Sequence, residues 1–214
     1  MIGILLALQI NNWNEERKSK SFEREMLSQI RTNLIQDKSN LESFRKNGHA
    51  AVASVDKILA REISETDRDS LKYWLGDIIQ FDRFQPLTNA YELIKSKGLD
   101  QISNKELRFL LGTYYDDKAN HIIKAVMDIE DAFSFQWLPI MKEHVVDFKF
   151  KNYLETDDIN LFNPPNTARK ILILNRDNYA GSVLYIDQGI LLIDDILAQI
   201  DQELPGLLQS VPKQ

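Results

Sequence analysis

Apolar residues recur along this chain at intervals of three and four almost throughout, the period of a helix that buries one stripe. Leu27, Ile30, Leu34, Leu41, Phe44, Ala51, Val55 and Ile58 form one such series, with Asp37 and Gly48 standing in two slots of the seam. The series predicts one long helix to about Asn47 and a second after a break at Gly48. Thr66 is the expected N-cap of a helix carrying Leu71, Trp74, Leu75 and Ile78. Pro86 suits the first turn of a helix that Gly98 stops. Ser103 followed by Glu106 has capping-box spacing, and opens a long helix with Leu107, Leu111, Tyr114, Ile122, Ala125, Ile129 and Ala132 on one face. Pro139 should stop or kink that helix near Leu138. Val183, Ile186, Ile190, Ile193, Leu197, Ile200 and Leu204 predict a closing helix that ends before Pro205-Gly206.

Residues 145–175 read less regularly. Val146 to Lys151 alternates like a strand, with no evident partner. Asn163-Pro164-Pro165-Asn166 is a loop, and Arg169 to Leu174 fits either a short helix or an extended run. With only 8 Gly and 6 Pro in 214 residues there is little turn chemistry for an all-β sandwich. The expected fold class is all-α, an antiparallel helical bundle with a long N-terminal helix.

The opening residues break the amphipathic pattern. Residues 1–10 carry no charge, and Asn11, Asn12 and Trp13 lead into the dense run Glu15-Glu16-Arg17-Lys18-Ser19-Lys20. Ten helical residues cover roughly 15 Å, about half of a bilayer's hydrocarbon core. A secretory signal is a poor fit, because no basic stretch precedes the run and no small-residue cleavage site follows it. Two readings stand: a helix start that packs on the body, or the C-terminal half of a membrane helix with Asn11, Asn12 and Trp13 at the headgroup level.

The run Ile2-Gly3-Ile4-Leu5-Leu6-Ala7-Leu8-Gln9-Ile10-Asn11-Asn12-Trp13-Asn14-Glu15-Glu16-Arg17-Lys18 resembles the hallmark of a family of uncharacterised bacterial single-pass membrane proteins with a helical domain of unknown function. Tyr91-Glu92-Leu93-Ile94-Lys95-Ser96-Lys97-Gly98, continued by Ile102-Ser103-Asn104-Lys105-Glu106-Leu107 and Tyr114-Tyr115, is more loosely similar to the same family. The resemblance implies that residues 1–12 are the C-terminal part of an apolar anchor helix, truncated at its start. Residues 13–214 would then be a single helical-bundle domain. It further implies that Met1 is a late start relative to the family. The anchor would meet membrane lipid through residues 1–13, in a bacterial inner membrane with the body periplasmic. The local charges are silent on orientation, with four bases and four acids in residues 15–25. The family brings no activity, cofactor or catalytic residue.

Composition narrows the function classes. Lys and Arg number 26 against 32 Asp and Glu, a net charge of −6, which argues against nucleic acid as a partner. The absence of cysteine removes disulfides, thiol nucleophiles and cysteine-based zinc sites. No glycine-rich phosphate loop, H-E-x-x-H, E-x-x-H or EF-hand pattern occurs. Asp117 and His121 share a helix face but supply only two ligands, and Glu143, His144 and Asp147 read as a polar helix end. Adjacent acids such as Asp116-Asp117, Asp157-Asp158 and Asp194-Asp195 point about 100° apart on a helix. In Tyr114-Tyr115 one ring is expected to face inward and the other solvent. No cofactor, metal or catalytic residue is expected. Two function classes follow: a non-catalytic membrane-tethered module that binds a partner protein, or itself, at the cell envelope; or a sensory, small-ligand-binding bundle. The second would use a pocket near Trp137 among Phe133, Phe135, Phe148, Phe150 and Tyr153.

Charge repeats with the heptad. With Leu27 and Ile30 at positions a and d, Arg17, Arg24, Arg31, Lys38 and Arg45 all fall at e. With Val183 and Ile186 at a and d, so do Asp187, Asp194 and Asp201. From Asp177 to Pro212 there are six acids and no Lys or Arg. Such stripes meet only if the first and last helices run antiparallel. Arg31 beside Asp194 is one register, and shifts of seven residues fit equally well.

Overall fold

In the computed structural model, which describes residues 2–209, the first helix α1 runs unbroken over Ile2–Leu59. Met1, on which the late-start expectation falls, lies outside the described residues. The break expected at Gly48 does not occur. A Cβ at Gly48 would lie 2.6 Å from Val183 Cγ2, so the glycine is there for close approach of a neighbouring helix, not as a stop. At the other end of the sequence α7 spans Thr167–Gln209. The Arg169–Leu174 stretch is therefore its beginning, and Pro205 lies inside it. The protein is an all-α helical bundle with one small hairpin.

The chain divides into two compact units: Met1–Ser39, Pro86–Lys118 and Ile190–Gln214 form the first, Asn40–Gln85 and Ala119–Gly189 the second. In the first unit, α1 from Met26 on buries Met26, Leu27, Ile30 and Leu34, and α7 buries Ile193, Ile196 and Ile200. Between them in sequence come α3 (Asn89–Lys97), a short 3-10 turn (Leu99–Gln101), α4 (Lys105–Gly112) and a π-helical segment (Thr113–Lys118). Pro86 lies in the extended approach to α3 and not in its first turn, whereas Gly98, at φ +103°, does stop the helix. The expected capping box at Ser103 is replaced by Asn104, whose side chain accepts from the Glu106 and Leu107 amides at 2.9 and 3.1 Å. Ser103 instead donates its amide and hydroxyl to Glu23, at 2.6 and 2.8 Å.

The second unit holds the rest of α1, α2 (Arg68–Ile78), α5 (Ala119–Ala132), a second π segment (Phe133–Trp137), α6 (Leu138–His144) and the start of α7. Ser64, not Thr66, caps the turn before α2, through a capping box with Asp67. Arg61 clamps the same carboxylate with two hydrogen bonds and holds its pKa down at about 2. Pro139 neither stops nor visibly ends the helix. The Leu138 amide reaches back to the Phe133 carbonyl, and this wider turn absorbs a proline that has no N–H to give. Val145–Lys149 (β1) does find a partner, Tyr153–Thr156 (β2), with Phe148 opposite Leu154 and a bulge between Val145 and Asp147. Four residues were too few to announce that strand. Gly76 of α2 admits the hairpin, since a Cβ there would stand 2.2 Å from the Asn152 carbonyl oxygen. Val55, Ile58, Leu75, Trp137, Phe162 and Leu172 lie at the heart of this unit's core.

Candidate functional site

Three features carry chemistry beyond packing: the open start of α1, the charged flanks of α1 and α7, and a buried cluster around Asp37.

At the start of α1 the side chains of Ile4, Leu6, Leu8, Ile10 and Trp13 are each between 52% and 70% exposed. Successive helical residues turn by about 100°. Ile4 and Leu8 therefore lie on one side and Leu6, Ile10 and Trp13 on the other. This is a helix apolar all round, not an amphipathic one. Asn11 and Asn12 are exposed, as is Trp13, whose ring sits 5.8 Å from the Arg17 guanidinium carbon. Beyond it the charges pair within the helix, Lys18 with Glu15 and Lys20 with Glu16, each at 2.9 Å. Among the described residues no helix is long and apolar enough to cross a membrane. Asn11 and Asn12 end the apolar run on its C-terminal side.

The charged flanks meet. In the first unit Arg31 pairs with Asp201 and Lys38 with Asp194, both at 2.6 Å. In the second, Arg45 pairs with Asp187 at 3.2 Å, and Asp56 with Arg176 at 3.1 Å with the signs exchanged. Higher numbers on α1 meet lower ones on α7 in both, so each unit packs its two segments antiparallel. Arg31 takes Asp201, one heptad beyond Asp194. Arg24, on the same flank and half-buried, has no charged partner among the described residues. These pairs are substantially solvent-exposed, and orient the helices more than they stabilise them.

Asp37 fills its seam slot wholly buried. Both carboxylate oxygens accept from the Leu87 amide at 3.2 Å, and one accepts from the Tyr114 hydroxyl at 3.2 Å. Burial pushes the carboxyl up to about 6, against the downward pull of those two donors. Tyr115 is buried beside Tyr114, contrary to the expectation that one ring would face solvent. The i→i+5 turn of the π segment separates neighbours by less than an α-helix does, so both rings enter the interior. Tyr115 stacks on Tyr91 at 4.4 Å between ring centres, and its hydroxyl has no hydrogen-bond partner. Tyr91 donates to Asp116 at 2.8 Å, and Lys95 holds the same carboxylate at 2.7 Å. The sequence showed Tyr115 only as half of a tyrosine pair, and Asp37 only as a polar slot in an apolar series.

Elsewhere the space beside Trp137 is about 10 Å³, the size of one water, closed in by Ile79, Met141, Leu154 and Phe162. The pocket expected there is filled by its own aromatic and aliphatic neighbours. A groove of about 420 Å³ lies in the second unit between residues 82–85 and Ile123, Val126, Met127 and Glu130 of α5. His144 bonds Asp157 at 3.1 Å, His121 stacks on Tyr185, and Asp147 accepts from Tyr153 at 2.7 Å. No cluster of three or more metal-ligating side chains occurs among the described residues. Comparison with protein families, curated proteins and solved structures finds no match for the chain.

Proposed function

We propose that the protein is a non-catalytic helical module tethered to a membrane by the first turns of α1, holding a partner protein at the cell envelope. One observation carries the membrane attachment: a charge-free stretch of helix whose Ile4, Leu6, Leu8 and Ile10 side chains lie on opposite sides and are all exposed. Lipid suits such a helix better than a protein groove, which would cover one face only. Residues 2–12 extend roughly 16 Å, enough to enter one leaflet, with Asn11, Asn12 and Trp13 at the headgroups. A bacterial inner membrane with a periplasmic body is what the likeness of the residue 2–18 motif implies.

Vesicle flotation of the full chain tests this reading. The protein should float with phosphatidylcholine vesicles, and Ile4→Glu with Leu8→Glu should abolish flotation while leaving thermal unfolding unchanged. Brominated lipid should quench Trp13, read against a Trp13→Phe control, since Trp137 lies in the core. A chain that stays at the bottom of the gradient overturns the proposal. The competing small-ligand reading moves from Trp137 to the 420 Å³ groove, where the volume is. A metabolite screen read on the half-exposed Met127 methyl tests it.

A further inference from the structure

We propose that the protein pairs with a second copy of itself through the outer face of α1 and α7 in the second unit, as a twofold dimer whose axis runs along the two helices. Each copy's α1 then lies over its partner's α7.

Two ion pairs of opposite sense frame this face. Arg45 of α1 meets Asp187 of α7 at 3.2 Å, and Asp56 of α1 meets Arg176 of α7 at 3.1 Å. Both helices hold their two charges at the same eleven-residue spacing, roughly 16 Å apart. The four form a checkerboard, plus beside minus at one end and minus beside plus at the other. Their side chains stay between 39% and 54% exposed, and each guanidinium meets its carboxylate through one N–H of five. Each charge thus keeps an open side for a second partner. Such a checkerboard is its own complement: turned over about either axis in its plane and laid on itself, it sets every positive corner against a negative one.

The space within the frame is apolar and uncovered. Side chains three, four or seven residues from a charged one share its side of a helix. Among such neighbours in the second unit, the exposed apolar ones are Ala53 and Ala60 on α1 and Ile173, Ala180 and Leu184 on α7. Ile173 is 47% exposed and Leu184 64%. Between the two pairs His49 is the exposed polar neighbour on α1. These positions choose between the two axes. With the twofold along the helices, Ile173 falls on the partner's Ala60, Ala180 on the partner's Ala53, and Leu184 on the partner's His49, so every one of the five is covered. With the twofold across them, Ile173 and Ala60 fall outside the overlap of the two frames. The first axis also brings both copies of α1 in from the same end, as two chains held by one bilayer require. The pairing itself does not depend on membrane attachment. The framed area is small for a protein contact, so the dimer is weak when free in solution.

Sedimentation equilibrium of the full chain in detergent, over a concentration series, tests it. The wild type should show a reversible monomer–dimer equilibrium, and Leu184→Glu should leave only monomer. Arg45→Glu with Arg176→Glu makes the frame wholly acidic, and Asp56→Lys with Asp187→Lys makes it wholly basic. Each should weaken self-association by about tenfold or more, and mixing the two chains should restore a dimer. Asp56→Arg with Arg176→Asp exchanges one pair. It keeps opposite charges facing about the proposed axis and sets like on like about the other, so it should dimerise as the wild type does. The chain has no cysteine, so oxidising a mixture of Ala53→Cys and Ala180→Cys chains reads the contact directly, and the mixed disulfide should exceed that of either chain alone. All these sites are exposed, and thermal unfolding should stay close to that of the wild type. A monomeric wild type, acidic and basic chains that do not pair when mixed, or an exchanged pair that abolishes the dimer overturns the proposal.

Discussion

Each unit contains one slot of the α1 seam that breaks the apolar series, and the two are resolved in opposite ways. In the first unit Asp37 keeps its polar group in the core and surrounds it with a backbone amide and a tyrosine hydroxyl. In the second, Gly48 removes the side chain altogether and lets Val183 come to within 2.6 Å of where a Cβ would be. Polarity at a seam therefore demands partners from several elements, while absence of a side chain demands only a neighbour's shape. The first solution responds to solution conditions; the second is a fixed matter of volume.

The largest effect is expected from Gly48→Leu, which drives a side chain into Val183 and should cost about 3 kcal/mol in urea unfolding. Adding Val183→Ala should return part of that loss. A neutral Gly48→Leu would show that closeness is not what this slot provides. Asp37→Leu comes next. It leaves the Leu87 amide and Tyr114 hydroxyl unpaired, and at pH 5 should cost about 2 kcal/mol. At pH 8 the loss should shrink, because the wild type there carries a buried charge. Equal losses at both pH values would erase the contrast with Gly48. The smallest effect belongs to the flank. A double-mutant cycle on Lys38 and Asp194, with side chains 29% and 46% exposed, should give a coupling below about 1 kcal/mol that falls further in salt.

Period was the legible part of the sequence. The helices, the buried residues of the seams and the repeating charge on α1 and α7 follow from three- and four-residue spacing, since side chains on one face recur whatever packs against them. Register did not follow. A seven-residue repeat pairs as well after a shift of seven, and what distinguishes one register from the next is unrepeated: Gly48 against Val183, or Arg169 at the end of α1. The hairpin stayed hidden because four residues carry little pattern. The two π segments left no periodic mark in the sequence, and Pro139 was the local clue to the second. The Asp37 cluster was half legible: the odd residue showed, but its partners are 50 residues away at Leu87 and 77 at Tyr114.

Arg169 finishes α1 in a particular way. Its guanidinium donates to the carbonyls of Ile58 and Leu59 at 3.1 and 2.8 Å, and to that of Phe162 at 3.1 Å. Two of the carbonyls that a helix end leaves bare are thereby held. The same helix begins among exposed side chains. Local opening in proteins ranges from nearly free fraying to the full cost of unfolding, and α1 spans that range within one element. In heavy water, deuterium should enter the amides before Trp13 almost at once, while those leading to Leu59 wait for the second unit to unfold. One rod thus keeps two clocks, and contact with lipid should slow only the fast one.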